Sequence, residues 1–422
     1  MKKWLNFRPN FRPNFIRAAN TRHAAWLVSG TVVQAASAFV TNAVLARFLL
    51  PEDFGKFAIV IANISLVKAV VSFPVGTLIL RASDDELAQR LDLYTTVNAV
   101  QNGVILLGSV FLLLQFDSLS LYSFVLLASV ISSYWVNIET ALYERNFPYK
   151  KLSVLETIAW LAGHGFSLVG VLLGLGPLVL YARDLIRQSV LILGINALQG
   201  LQPITLRWIS PREWKLVLQD VRGFWANRFL ENSFERIMVL VVGALAGDKG
   251  AGYFFQAQRF ALLPYQLLSP VTSRMAMNYF SHRTSEQQGS RLLLKVLGWT
   301  LLLFIPFAGG IALFAPPVIP VLLGPGWEPV VPILIAMLGF SVASNPFELL
   351  KSYYIAQAKM RALLFLGRVG QYTGFCICAV LVILGVLNPG VGLAFGLSLS
   401  YLLPTALLTL QLCIQKKRVY PG

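Results

Sequence analysis

Nine basic side chains fall within or at the edges of long apolar stretches of this chain: Lys68, Arg183, Arg187, Arg228, Arg236, Arg259, Arg274, Lys351 and Arg368. An ionised group in hydrocarbon costs about 2.5 to 3.5 kcal/mol on insertion scales, so such groups normally line a bundle interior or a water-filled path. Only Glu139, Glu156, Asp184, Glu231, Glu235 and Glu348 share these stretches, so carboxylates cannot neutralise every cation. Guanidinium forks match phosphate oxygens, and the surplus therefore points to an anionic ligand with phosphate chemistry. Arg228, Arg236, Arg259 and Lys68 rank first as phosphate contacts, followed by Arg274. Arg183 and Arg187 flank Asp184 with i, i+4 spacing and also suit a structural cluster. Lys351 and Arg368 are expected to snorkel toward the membrane surface.

Residues three, four and seven apart share a helix face, and several polar groups obey that spacing. They are Gln34, Ser37 and Thr41; Ser65, Lys68 and Ser72; Glu156, Trp160, His164 and Ser167; Arg228, Asn232, Glu235 and Arg236 with Glu231; and Gln256, Arg259 and Gln266. The plain reading of such stripes is a hydrogen-bonded seam between helices. The functional reading adds Asn232 and Gln34 to the substrate contacts. It also makes Glu156 with His164, Asp184, Glu231 and Glu235 candidates for proton or cation coupling. Cys376, Cys378 and Cys413 have no nearby His or acidic partner at metal-ligand spacing, so neither a metal nor another cofactor is expected.

These residues need a membrane scaffold to position them. The chain has 422 residues, 56% of them hydrophobic and 13% charged, with a formal net charge of +16 and a mean hydropathy of +0.66. Such values exclude an ordinary soluble domain, and the charge excess is explained by a membrane without a nucleic-acid partner. Apolar runs of about 20 residues match the thickness of the hydrocarbon layer. They place about twelve spans near 24–46, 57–80, 93–115, 119–143, 152–174, 177–200, 224–246, 251–276, 296–314, 330–356, 362–386 and 389–414. Pro264 and Pro270 imply a kink or break in the eighth, and 315–329 reads as the longest outer loop. Of the 35 basic residues, 23 lie in one alternate set of gaps, whereas the other set holds 3, Arg47, Lys56 and Lys249. Lys and Arg mark the cytoplasmic side, so both termini are expected there, with the first span retained rather than cleaved as a signal peptide. The basic leader, with Asn-Phe-Arg-Pro at 6–9 and 10–13, reads as a tail that fixes orientation.

The resulting division is a tail at 1–23, an N-terminal lobe at 24–200, a cytoplasmic linker at 201–223, a C-terminal lobe at 224–414 and a tail at 415–422. A weak internal repeat supports it. Phe48 to Phe57 aligns with Leu245 to Phe254, and Gly174-Leu175-Gly176 has a counterpart in Gly390-Val391-Gly392. An even number of spans per lobe makes the repeat parallel, a plan in which ligands bind near the midplane between lobes that rock.

No Gly-x-x-x-x-Gly-Lys-Ser/Thr loop is present, so the chain is not its own ATPase. The short outer loops argue against a membrane polymerase or ligase. The order of motifs resembles the oligosaccharide flippase, or polysaccharide transporter, family of the multidrug/oligosaccharidyl-lipid/polysaccharide exporter superfamily. The resemblance rests on Leu45 to Gly55, Leu142 to Leu152, Val242 to Gly247 with Gly252-Tyr253, Leu263-Pro264, and Leu323-Gly324-Pro325-Gly326-Trp327 with Pro332. It implies an all-α polytopic fold of two lobes in a V, like the multidrug and toxin exporters. It also implies a monomer in the bacterial inner membrane that moves polyprenyl-pyrophosphate-linked oligosaccharide for lipopolysaccharide, capsule or exopolysaccharide synthesis. The implied partners are the lipid-linked oligosaccharide, membrane lipids, and the polysaccharide polymerase and chain-length proteins. A drug or cation antiporter of the same superfamily stays open as an alternative, and a net acidic interior would favour it.

Overall fold

The computed structural model describes the backbone except at 1–18, 72, 74, 116–118, 147–148, 202–204, 282–285, 358 and 420–422. Side chains at 19–29, 31, 77, 81, 145–146, 149–150, 199, 216–228, 267–281, 286–288 and 415–419 are also outside the description. The leader repeat and Ser72 therefore lie outside the described residues.

The N-terminal half consists of α1 (Ala19–Phe48), α2 (Pro51–Val71), α3 (Val75–Arg81), α4 (Asp84–Gln115), α5 (Leu121–Asn146), α6 (Tyr149–Leu172) and α7 (Leu178–Gln199). The C-terminal half begins with α8 (Pro211–Ser281), α9 (Glu286–Leu323), α10 (Val330–Ala336) and α11 (Leu338–Ala356). It ends with α12 (Met360–Ala362), a π-helical turn at Leu363–Val369, α13 (Gly370–Ile383) and α14 (Pro389–Val419). Local chemistry sets several of these boundaries. Pro51 occupies the first turn of α2, where a missing N–H costs nothing, and the Asp53 carboxylate accepts the Leu50 N–H at 3.0 Å. Helix α8 starts inside the stretch read as linker because Ser210 and Glu213 form a reciprocal cap. The Ser210 N–H donates to Glu213 Oε2 at 2.9 Å and the Glu213 N–H to Ser210 Oγ at 3.4 Å. That backbone bond, followed by the Arg207 guanidinium, holds the Glu213 carboxyl below its usual range.

Among the described residues, nine segments are long and apolar enough to cross a bilayer. One of them, Phe229–Gln266, bends at Gly247, whose φ of 68° leaves the helical region, and so supplies two crossings. Two helices complete the set: α1, with an apolar part at Val32–Phe48, and the 22-residue α7, which carries Arg183, Asp184 and Arg187. Counted among the described residues, these make twelve helical crossings of a two-lobed membrane protein.

Two details differ from the sequence reading. The backbone stays helical through Pro264 and Pro270, because neighbouring helices tolerate a proline that lacks one N–H, and the turn at Gly247 falls in the gap expected between the seventh and eighth spans. Helix α9 continues through Pro306, Pro316, Pro317 and Pro320 to Leu323, so the outer loop shrinks to 324–329. The fixed proline φ is compatible with a helix. The last carbonyls, of Val321 and Leu322, accept from the Arg47 guanidinium, a cation where the helix C-terminus favours one.

At the end of the bundle bearing this loop, the halves share one core: Leu45, Phe54 and Phe57 pack with Tyr253, Phe254 and Trp327. The Trp327 indole N–H donates to the Ala46 carbonyl at 2.8 Å and its ring meets Phe54 and Tyr253 edge-on. At the opposite, charge-rich end the cores are separate. One, in the N-terminal half, includes Val75, Ile79, Tyr94 and Ile138, and the other, in the C-terminal half, Leu293, Phe347, Tyr354 and Leu408. A joint core at one end and two at the other is the packing of a V.

The crossing of α2 and α8 shows the internal repeat in space. A Cβ on Gly55 would sit 1.7 Å from the Asp248 carbonyl oxygen, and a Cβ on Gly252 would sit 1.9 Å from that of Pro51. In the sequence alignment Gly55 faces Gly252 and Pro51 faces Asp248, so the contact is reciprocal under a pseudo-two-fold axis.

Candidate functional site

Between the arms of the V lies a cavity of about 740 Å3. Helix α1 contributes Gln34 and Asn42, α2 Ser65 and Lys68, α6 Trp160 and His164, α7 Arg183, Asp184 and Arg187, and α8 Gln256, Arg259 and Gln266. Helical spacing explains the convergence: within each element these residues recur at about three or four positions and share the face that the fold turns inward.

The charges divide unequally. Asp184 is engaged on both oxygens, by Arg187 Nε at 2.8 Å and by Gln188 Nε2 at 2.7 Å. Arg187 also lies 5.7 Å from the Trp160 ring centroid. Arg183 reaches only a neutral acceptor, Asn42 Oδ1 at 3.5 Å. The Arg259 guanidinium stacks 4.2 Å from the Phe255 ring, and its buried Nη1 has no hydrogen-bond acceptor. One turn earlier on α8, the buried Nε2 of Gln256 is likewise without an acceptor. Among the described residues no carboxylate forms an ion pair with Lys68, Arg183 or Arg259. The wall is thus rich in cationic donors and short of acceptors.

A second cavity of about 350 Å3 adjoins the first. Ser65 and Lys68 line both, and the smaller one is completed by Ala69, Glu231, Asn232, Glu235 and Arg236. Deeper in the C-terminal half, Glu231 accepts Lys351 at 2.7 Å and Arg368 at 3.1 Å, while Glu348 takes Lys351 at 2.6 Å. Lys351 and Arg368 therefore do not snorkel. They pair within the bundle, because Glu348 sits one turn from Lys351 and the π-helical turn carries Arg368 to Glu231.

The structure brings together Lys68, Gln34, Arg259, His164 and Asp184 at the large cavity and Arg236, Asn232, Glu231 and Glu235 at the small one. The side chains of Arg228 and Arg274 lie outside the described residues. Glu156 is separated from His164: it is exposed, two helical turns along α6, whereas His164 is buried with its ring 5.1 Å from Trp160. Ser167 ties α6 to the Val179 carbonyl of α7 at 3.0 Å. Arg183 gains importance over the sequence ranking. The single carboxylate of Asp184 is three residues from Arg187, on the same face, and adjacent to Arg183, so it takes Arg187 and leaves Arg183 to the cavity. That spacing was readable in the sequence, whereas the Asn42 and Gln256 contributions depend on helix packing.

Residues 44–332 match the protein family described as polysaccharide biosynthesis protein. Over 414 residues the chain is 21% identical to the lipopolysaccharide biosynthesis protein WzxC of Escherichia coli strain K12, covering 93% of this chain and 80% of that one. Solved transporter structures share its fold, two of them as follows. The lipid II flippase MurJ in an inward closed conformation has a TM-score of 0.69 at 15% identity, over 93% of this chain and 87% of that one. An inward-facing multidrug resistance MATE family transporter of the MOP superfamily has a TM-score of 0.68 at 15% identity, over 94% and 98%. With a two-lobed membrane fold shared with those transporters and a matched segment that spans most of its length, this chain belongs to the polysaccharide biosynthesis protein family.

Proposed function

We propose that the protein is a flippase that carries polyprenyl-pyrophosphate-linked oligosaccharide across the bacterial inner membrane, for assembly of a cell-surface polysaccharide. The observation that carries this reading is the acceptor-poor cationic wall formed by Lys68, Arg183 and Arg259 with the orphaned donors of Arg259 and Gln256. Buried donors are normally satisfied, and pyrophosphate oxygens supply several acceptors with matching charge. Excess Lys and Arg at the end where the cores separate orients that end toward the cytoplasm. The cavity then faces the leaflet where such precursors are made, and closure there with opening at the Trp327 end completes alternating access. The polyprenyl chain stays in the bilayer, so no covalent step is involved. The product would emerge where a polysaccharide polymerase and chain-length proteins act. Asp184 and Glu231 are tied into ion pairs, which leaves Glu156, His164 and Glu235 as the coupling groups to test first.

Arg183→Ala and Arg259→Ala should each reduce translocation of a lipid-linked oligosaccharide by about tenfold or more, the scale of losing a charged hydrogen bond. Lipid-linked precursor should accumulate inside cells at normal protein levels. Unchanged surface polysaccharide in both variants would remove the pyrophosphate role. A cation antiporter would need an acidic site, and the large cavity has four cations against the one acid, Asp184.

A further inference from the structure

We infer that the 350 Å3 cavity beside Lys68 is a separate subsite for the sugar attached directly to the pyrophosphate; this rests on the functional reading above. The two adjoining cavities differ in chemistry. The large one presents cationic and amide donors, whereas the small one mixes donors and acceptors: Ser65, Lys68, Asn232 and Arg236 line it together with the carboxylates of Glu231 and Glu235. Among the described residues Glu235 and Arg236 form no ion pair or hydrogen bond, and both line the cavity. The neighbouring Glu231 is held by Lys351 and Arg368.

A phosphate offers acceptors only, and Glu235 would repel it. A sugar ring carries hydroxyls that donate and accept, so a carboxylate, an amide and a guanidinium around one small space suit it well. Its volume lies near the lower end of the roughly 300–1,000 Å3 typical of small-ligand pockets, which suits a short group rather than a long glycan. Lys68 belongs to both walls and so sits where an anion and the group bonded to it would meet. The remaining sugars are left to the open mouth of the V, and the subsite reads the first one. Discrimination follows from the physics of polar sites: hydrogen-bonding groups that the bound ligand desolvates but leaves unpaired cost more than an apolar mismatch.

The test compares two probes on the purified full chain in lipid nanodiscs: a polyprenyl pyrophosphate without sugar, and the same lipid carrying one N-acetylhexosamine. The wild type should bind the glycosylated probe about tenfold more tightly, the scale of one or two hydrogen bonds to charged groups. Asn232→Ala should erase most of that increment while leaving affinity for the bare probe within about twofold, and Glu235→Ala should erase it with affinity for the bare probe unchanged or raised, since a repelling carboxylate is removed. Arg259→Ala should weaken both probes alike. Asn232 is exposed on its helix, so its truncation keeps the test valid if the Glu235 variant folds poorly. An increment that survives both annex substitutions, or equal losses for both probes in those variants, would overturn the subsite and leave the flippase reading standing if Arg259→Ala still weakens both. Failure of the wild type to bind either probe would overturn the flippase reading and the subsite with it.

Discussion

Glu231 shows how a membrane-embedded charge can be structural. Its carboxylate holds Lys351 and Arg368, and the Arg368 side chain is only 4% exposed. Removing one partner of a buried pair costs about 3–5 kcal/mol because the remaining charge is left without compensation. Lys351 keeps Glu348 when Glu231 is lost, whereas Arg368 loses the Glu231 contact and keeps its hydrogen bond to Gln371. Glu231→Ala should therefore lower the unfolding temperature of the detergent-solubilised protein clearly more than Lys351→Met, in which Arg368 still holds Glu231. Equal effects would mean that the Arg368 pair contributes little. The surplus of cations over acids in the apolar stretches was readable residue by residue. Which cation each acid neutralises was not, because Glu231, Lys351 and Arg368 come from different segments.

The α2–α8 crossing depends on two glycines that admit direct backbone contact. Any side chain at Gly55 or Gly252 would strike a carbonyl oxygen of the partner helix, and a backbone atom cannot rotate away as a flexible side chain can. Gly55→Ala and Gly252→Ala should each destabilise the protein by about 1–3 kcal/mol or more, as overpacking does. Gly165→Ala, where a Cβ meets nothing within 4 Å, serves as the neutral control in the same thermal-unfolding assay. A neutral result at Gly55 would show that the crossing can relax. The Ser210–Glu213 cap is completed within one helical turn, yet the sequence reading laid a linker across it at 201–223, because hydropathy marks an apolar span and not the polar turns that lead into it. The full length of α9 was not legible either: local sequence reads its prolines as breakers, and only packing along the bilayer shows that the helix continues.

The two lobes are latched at the end that carries Trp327. Arg47 caps α9 and Trp327 donates to Ala46 across the lobes, while within the C-terminal lobe Tyr253 Oη donates to the Gly326 carbonyl at 3.1 Å and holds the loop that carries Trp327. Opening that end must break the two contacts between lobes, which join segments far apart in the chain. A single cysteine introduced as Ser65→Cys, after replacement of Cys376, Cys378 and Cys413, should react with a membrane-impermeant thiol reagent from the charge-rich side. Adding Trp327→Ala should increase labelling from the opposite side severalfold by weakening the latch. No change on either side would argue against a latch that gates access. Hydropathy, alternating loop charge and the paired glycine motifs were enough to specify a membrane protein of two parallel repeats with a cationic interior, because each is written in contiguous residues. The division of those cations between an open cavity and a paired C-terminal cluster could not be read that way. It depends on which helix faces meet, and so does the second cavity that Lys68 shares, since burial and pairing energies act between side chains that the sequence separates by more than a hundred positions.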